Sequence, residues 1–309
     1  MILCIGPTPA AQRAMVFRQL HLDTVNRAVE TADGVAGKSV NVAKVLRALG
    51  ETPIATGFLG GVHGESVRTA LAARGVVLDF VSVAAPTRQC ITVIDQEGGT
   101  ITELVEESRP VGEADYERLR SVVRKRVGGC RAVIVSGTMT PGGPVGFYRE
   151  CVELGHGAGA LTVLDVKGDP LLEALKVRPG LVKPNRPELA ATVGRELGDE
   201  RDVMRAMREM GERGAQRVVV TAGREPSLAF DGKAFWRITP PVIRAVNPIG
   251  SGDAFTAALT WRLLRGDDLG AACRWGAAAG AANALNLHAG EVDPAEVRRL
   301  HELAVLERV

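Results

Sequence analysis

The segment NPIGSGDAFTAAL, residues 247–259, carries residue types that can bind a negative charge and remove a proton. Gly250, Ser251 and Gly252 can bend so that successive backbone N–H groups point into one concavity, and a helix predicted to begin near Gly252 adds its positive end. Such an anion hole could stabilise a phosphoryl group in transfer. Asp253 lies beside it and could take the proton from an attacking hydroxyl. Taken alone, Asp253 favours the simpler role of stabilising the helix start.

A second polar group follows an apolar run in the segment LVKPNRPEL. Lys183 and Asn185 come directly after the run, and Glu188 comes after a proline. Lysine can neutralise phosphate charge, while asparagine and glutamate can hold magnesium, usually through the waters that the ion retains. We therefore predict a metal site at Asn185 and Glu188.

Two further apolar runs end in small or hydroxyl residues that would let a nucleotide or phosphate approach closely. VVVTAG contributes Thr221 and Gly223, and VSGTMTPG contributes Ser136. Three strand ends that supply ligands of this kind are hard to explain as ordinary turns.

The elements that position these residues alternate between buried strands and amphipathic helices. This alternation predicts parallel βαβ units and an α/β sheet with helices on both faces, where ligands bind beyond the carboxyl ends of the strands. The predicted strands are 131–137, 161–166, 181–185 and 217–223, and helices are predicted at 143–154, at 201–214 and through most of the last third.

Two segments, 11–33 and 80–107, interrupt this rhythm because they are rich in β-branched residues and lack a helical period. Residues 89–108 alternate in two arms around the tip Glu97-Gly98-Gly99, which is typical of a hairpin. We predict that both segments form a small β-sheet that acts as a lid over the ligand edge. An ordinary extra hairpin is the simpler alternative.

The stretch GVAGKS resembles the end of a phosphate-binding P-loop, but the first glycine of G-x-x-x-x-G-K-[ST] would fall at residue 32, which is Ala32. The polar, alternating residues before it are also unlike a central parallel strand. The segment instead leads into an amphipathic helix that ends at Gly50. Lys38 and Asn41 then fall in its first turn, where they could face a polar or anionic ligand. A simple loop and helix cap is the equally open alternative on these residues alone.

Composition excludes several classes of function. Among 309 residues, 38 are basic and 36 acidic, which gives no electrostatic reason to expect a nucleic acid or membrane partner. Five scattered cysteines without a C-x-x-C pair, no signal peptide and no long apolar run indicate a cytoplasmic protein. The five histidines show no metal-binding spacing.

Over nearly its whole length the chain resembles the PfkB, or ribokinase-like, carbohydrate kinase family, and within it the phosphosugar branch of 1-phosphofructokinase and tagatose-6-phosphate kinase. The resemblance is carried by NRAVETADGVAGKSVNVAKVLRALG, TRQCITVID, VSGTMTPGG, LVKPNRPEL, VVVTAG and NPIGSGDAF. The last of these is similar to the family's G-[AS]-G-D signature.

This resemblance implies a single ribokinase-like domain over 1–309 that uses ATP and magnesium to phosphorylate a ketohexose phosphate: fructose-1-phosphate, tagatose-6-phosphate or fructose-6-phosphate. It implies that Asp253 is the catalytic base beside an anion hole at 250–252, and that the protein forms a homodimer through its β lid. The implied nucleotide and magnesium contacts are Lys183, Asn185, Glu188, Thr221, Gly223 and Asn283. The implied acceptor contacts are Gly37, Lys38, Asn41, Arg88 and Ser136, together with Arg27, which in relatives can reach the neighbouring subunit's substrate.

Several positions depart from the family pattern. Gln12 stands where an aspartate usually grips sugar hydroxyls, and Ala36 and Ser39 replace glycines of a GGKG motif. These changes bear on the identity of the sugar more than on phosphoryl transfer. They leave open an unphosphorylated sugar or nucleoside as the acceptor, and a non-catalytic sugar-phosphate sensor. A requirement for a monovalent cation also stays open.

Overall fold

The computed structural model describes all 309 residues. The strands are β1 (Ile2–Ile5), β2 (Ala10–Phe17), β3 (Glu30–Ala36), β4 (Pro53–Thr56), β5 (Phe58–Leu59), β6 (Val77–Leu78), β7 (Val81–Ser82), β8 (Arg88–Asp95), β9 (Thr100–Val105), β10 (Ala132–Ser136), β11 (Leu161–Asp165), β12 (Leu181–Val182), β13 (Val218–Ala222), β14 (Glu225–Phe230), β15 (Phe235–Thr239) and β16 (Val305–Arg308). The helices are α1 (Lys38–Ala48), α2 (Gly61–Ala73), α3 (Glu113–Val127), α4 (Phe147–Gly157), α5 (Asp169–Leu175), α6 (Arg186–Val193), α7 (Glu200–Glu212), α8 (Ser251–Leu263), α9 (Leu269–Ala284) and α10 (Pro294–Leu303).

Ten strands form one large sheet in the order β16-β15-β14-β13-β12-β11-β10-β1-β4-β6. The seven strands from β13 to β6 are parallel, whereas β14, β15 and β16 extend the sheet in antiparallel fashion. All carboxyl ends of the parallel strands therefore meet at one edge, where ligands bind in sheets of this kind.

The core lies on both faces of this sheet because successive strand residues point to opposite sides. In β1, for example, Ile2 and Cys4 pack with α1, α2, α8, α9 and α10, while Leu3 and Ile5 pack with α3 to α7. Every strand between two helical layers must be apolar on both sides, which explains the uninterrupted runs in the sequence.

Four strands form a separate small sheet in the order β3-β2-β8-β9. Its central pair, β2 and β8, is parallel and joins Ala10 to Arg88 and Phe17 to Asp95, while both outer pairs are antiparallel. Side chains directly opposite in such pairs lie on the same face of the sheet. One face of this small sheet covers the carboxyl edge of the large one, and we call it the inner face.

The predicted fold class is confirmed: a mainly parallel sheet is flanked by helices and accompanied by a small β-sheet. Each predicted strand and helix named above is present, with shifts of a few residues at the ends. The segments 11–33 and 80–107 supply nearly all of the small sheet, although 18–29 is a loop and β7 pairs with β5 instead. That the small sheet acts as a lid stays a prediction. No helix has both the length and the apolar character that crossing a membrane requires.

Candidate active site

A cleft of about 310 Å³ lies between the carboxyl edge of the large sheet and the inner face of the small sheet. Its lining brings together eleven of the residues singled out from the sequence: Gly37, Lys38, Asn41, Arg88, Lys183, Asn185, Glu188, Thr221, Gly250, Gly252 and Asp253. It also includes Asp165, Cys90 and Glu103, which the sequence did not single out.

Asp253 lies in the first turn of α8 and is 6% exposed. Its Oδ2 accepts a hydrogen bond of 2.7 Å from Nδ2 of Asn41, at the start of α1. Burial, followed by repulsion from the nearby Asp165 carboxylate, raises the pKa of Asp253 to about 7. A carboxylate with this pKa is suited to accept a proton near neutral pH.

The amide groups beside Asp253 form a pocket of free hydrogen-bond donors that suits an anion. The backbone N–H groups of Gly250 and Gly252 donate to no acceptor within the protein, at the positive end of α8. Gly250 has a φ of 84°, and a Cβ at this position would lie 2.8 Å from Cβ of Ala289. Only glycine therefore satisfies both the left-handed backbone and the close packing.

A cluster of opposite charges lies deeper in the cleft, at the end of β11. Asp165, 1% exposed, pairs through Oδ1 with Nζ of Lys38 at 2.8 Å and through Oδ2 with Nζ of Lys183 at 3.0 Å. Burial would raise the pKa of Asp165, but the two ammonium groups outweigh it and hold this pKa well below its usual range. The cluster thus keeps two cations near the anion hole, with one carboxylate to balance them.

Asn185 and Glu188 form a capping box at the start of α6. Oδ1 of Asn185 accepts from the N–H of Glu188 at 2.8 Å, and Oε2 of Glu188 accepts from the N–H of Asn185 at 2.9 Å. The other carboxylate oxygen of Glu188 faces Lys38 at 3.5 Å. Both residues line the cleft, so they stabilise the helix and still present polar atoms to a ligand.

A second cleft of about 510 Å³ adjoins the first, since Asn185, Thr221 and Gly252 line both. Thr221, Gly223 and Ser251 border it on one side, and α9 and the 240–245 segment supply apolar walls. Asn283 does not reach this surface. It is fully buried and its side chain bonds to O of Ile249 and to N–H of Gly290, which holds the loop before α8 in place.

The remaining predicted residues lie around the small sheet. Arg88 donates only to the backbone oxygens of Thr8 and Glu106 and makes no ion pair. Gln12 is 2% exposed and lies on the inner face, with Oε1 unpartnered. Ser136 is buried with Oγ unpartnered and does not line the cleft, while Arg27 lies in the exposed loop between β2 and β3.

Lys44, which the sequence analysis did not single out, is buried behind the cleft and donates hydrogen bonds to two backbone segments beside it. Its buried Nζ donates to O of Val35 at the end of β3 at 2.7 Å and to O of Ala289 at 2.5 Å. Burial lowers its pKa to about 8. Because Gly250 packs directly on Ala289, Lys44 links the small sheet to the anion hole.

A comparison with known protein families shows which family the chain belongs to. A family model described as pfkB family carbohydrate kinase matches residues 1–296. The chain belongs to this family. It is therefore a phosphotransferase that acts on a sugar hydroxyl, and its family uses ATP and a divalent metal in general.

Solved structures place this PfkB kinase among sugar kinases. Phosphofructokinase-2 from Escherichia coli, solved in complex with fructose-6-phosphate, is 27% identical to this chain. The match covers 97% of this chain and 98% of the E. coli chain, with a TM-score of 0.88. A possible 1-phosphofructokinase from Thermotoga maritima is 23% identical. The match covers 100% of this chain and 99% of the T. maritima chain, with a TM-score of 0.92. Arabidopsis thaliana ribokinase, complexed with ribose and ATP, is 20% identical, covers 97% and 98%, and has a TM-score of 0.77. The last two likenesses concern the fold, which is ribokinase-like.

The cleft of this PfkB kinase fits a magnesium ion that retains most of its waters. No group of three acidic, histidine or cysteine side chains could enclose a metal by itself. Magnesium bound to a nucleotide needs only one or two carboxylates besides phosphate oxygens and water. The Glu188 carboxylate, which lines the cleft beside Lys38, meets that need.

Proposed function

We propose that this PfkB kinase transfers the γ-phosphoryl group of ATP to a hydroxyl of a ketohexose phosphate: fructose-1-phosphate, tagatose-6-phosphate or fructose-6-phosphate. The observation that carries the proposal is Asp253, a buried carboxylate beside the free N–H groups of Gly250 and Gly252, in one cleft with the unpaired guanidinium of Arg88. Phosphofructokinase-2 of E. coli, at 27% identity, was solved with fructose-6-phosphate, which supports the phosphosugar class.

In the proposed reaction, Asp253 accepts the proton of the attacking hydroxyl, and Asn41 holds its carboxylate in place. The N–H groups of Gly250 and Gly252 and the ammonium of Lys183 stabilise the charge that develops on the transferred group. ATP would occupy the second cleft beside Thr221 and Gly223. Magnesium would be held through water by Glu188 and Asn185, where it neutralises phosphate charge.

Arg88 would bind the phosphate that the acceptor already carries, because a guanidinium without a carboxylate partner in a cleft favours an anion. Lys38, which the sequence assigned to the same phosphate, is already paired with Asp165 and faces Glu188. We therefore propose that Lys38 acts on the side of the transferred phosphoryl group.

The test is an assay of ATP-dependent turnover with the three phosphosugars, with fructose and ribose as unphosphorylated comparisons. Asp253→Asn should lose at least about two orders of magnitude in kcat, the usual contribution of a general base. Arg88→Ala should raise KM for a phosphosugar at least tenfold and leave KM for ATP unchanged. Full activity of Asp253→Asn, or preference for an unphosphorylated sugar, would overturn the proposal.

We also propose that the kinase forms a homodimer through the outer face of the small sheet. This face carries the partly exposed apolar side chains of Met15, Ile91 and Val93, and the exposed Leu104 opposite Ile91. Exposed apolar patches of this kind mark interaction surfaces. Light scattering should give twice the mass of 32.7 kDa for the wild type, and the monomer mass for Ile91→Arg. A monomeric wild type would overturn the proposal.

A further inference from the structure

Glu103 of β9 projects from the inner face of the small sheet into the cleft that contains Asp253. Its strand partner is Thr92 of β8, and the next inward-facing pair along the strands is Cys90 with Val105. Cys90, Glu103 and Val105 all line the cleft, as the alternation of side chains in paired strands requires. The position of Glu103 therefore follows from the register of the hairpin.

The Glu103 carboxylate differs from the other three acidic groups of the cleft because it has no partner. Asp253 is bound by Asn41, Asp165 by two lysines, and Glu188 by its capping box and Lys38. Glu103 makes no hydrogen bond and no ion pair, and it is exposed to the cleft. Its four acceptor sites are therefore open to a ligand.

A free cation lies at the other end of the same inner face. Arg88 begins β8, four residues before Thr92, so the backbone positions of Arg88 and Glu103 are separated by about 13–14 Å along the strands. Arg88 has only backbone carbonyls as partners, and its Nε has none. The inner face thus offers a guanidinium and a carboxylate that form no ion pair but affect each other: burial raises the pKa of Glu103, and the charge of Arg88 lowers it.

We propose that Glu103 is a specificity-determining residue of the acceptor site, which accepts hydrogen bonds from hydroxyl groups of the sugar other than the one that attacks ATP. The inference rests on the proposed function and deepens it. A carboxylate that no protein group binds has its acceptor sites open to such hydroxyl groups. It would therefore discriminate between sugars that differ in one hydroxyl group.

The experiment compares Glu103→Ala and Glu103→Gln with the wild type, and uses Glu97→Gln, at the exposed tip of the same hairpin, as a matched control. Each enzyme is assayed with the phosphosugar that the wild type uses best and with its monodeoxy analogues. Turnover by the wild type is required first, so that failure of the proposed function is recognised before any variant is compared.

Glu103→Ala should raise KM for the acceptor at least tenfold, the range expected for losing a hydrogen bond to a charged group, with KM for ATP unchanged. For one deoxy analogue, the KM of the wild type should be at least tenfold higher than its KM for the parent sugar. For Glu103→Ala, the KM values for this analogue and for the parent sugar should be equal. The KM of Glu103→Gln for the acceptor should lie between the values of the wild type and Glu103→Ala. Glu97→Gln should match the wild type.

The inference is overturned if Glu103→Ala keeps the wild-type KM for the acceptor, or if it retains full discrimination against every deoxy analogue. An equal rise in KM for ATP and acceptor would also overturn it, because a general distortion of the cleft would affect both substrates. Far-UV circular dichroism and the melting temperature of each variant show that it is folded.

Discussion

Nδ2 of Asn41 donates a hydrogen bond of 2.7 Å to Oδ2 of Asp253, and so joins the first turns of α1 and α8 across 212 positions of the chain. The two helices pack on the same face of the large sheet, so the bond is fixed by the core beneath it. If Asp253 is the general base that we propose, a carboxylate oriented in this way reaches its substrate without reorganising, which lowers the barrier to proton transfer.

The hydrogen bond from Asn41 also affects titration, because it favours the charged form of Asp253. We expect kcat of the wild type to fall as the pH drops below about 7, where Asp253 becomes protonated. In Asn41→Ala the pKa should rise and the acidic limb of the pH–rate profile should move to higher pH. Asn26→Ala, in an exposed turn, is the control. An unshifted limb would contradict this role.

The raised pKa of Asp253 makes its charge a cost to stability. The folded pKa, about 7, lies above the usual value of 3.8, so stability is lost as the pH rises from about 4 through 7 and the buried group ionises. Asp253→Asn removes this cost and should raise the melting temperature at pH 8 by about 2 °C or more. At pH 4 the two proteins should melt together. Equal melting temperatures at pH 8 would show that the carboxylate is not strained by burial.

The charge of Asp165, unlike that of Asp253, should stabilise the folded protein, because it balances two ammonium groups. Asp165→Asn leaves Lys183, which is 3% exposed, without its counter-charge, and we expect a loss of about 3–5 kcal/mol in the free energy of unfolding measured with urea. The exposed Asp169→Asn should change it by less than about 1 kcal/mol. A stable Asp165→Asn protein would mean that the lysines are solvated by other means.

Lys44→Met tests whether the hydrogen bonds that Lys44 donates to the backbone keep the anion hole in place. The substitution keeps the length of the side chain but removes the buried donor to O of Val35 and O of Ala289, at a cost of about 1–3 kcal/mol. Because Gly250 packs on Ala289, kcat should fall while KM for ATP changes little. Lys125→Met, on the exposed face of α3, is the control. Wild-type kcat in Lys44→Met would exclude this role.

The periodicity of the sequence predicted the parallel strands and the helices between them, because buried strands and amphipathic helices have distinct patterns. It did not predict the antiparallel extension β14 to β16, since these strands at one end of the sheet contain polar residues that interrupt their apolar runs. The helix start at Asp253 was predicted because it depends on neighbours within three or four residues, whereas the capping box at Asn185 was not recognised and both of its residues were assigned to a metal site.

Residues whose role depends on distant partners could not be read in this way. Asp165 fell inside the predicted strand 161–166, and only its register opposite Ser136 places it at the carboxyl edge. Lys44 occupies an amphipathic helix, where a lysine is ordinarily solvated. Glu103 was part of a predicted hairpin, but alternation alone does not say which of its two faces meets the cleft.

The parallel pairing of β2 with β8 has a consequence for the order in which the protein acquires its activity. The two strands are 78 positions apart, at Ala10 and Arg88, and the intervening chain includes β4, which belongs to the large sheet. Long-range pairing of this kind forms slowly, because the closure entropy of the chain between must be overcome first. After dilution from urea, we therefore expect helical circular dichroism to return before catalytic turnover does.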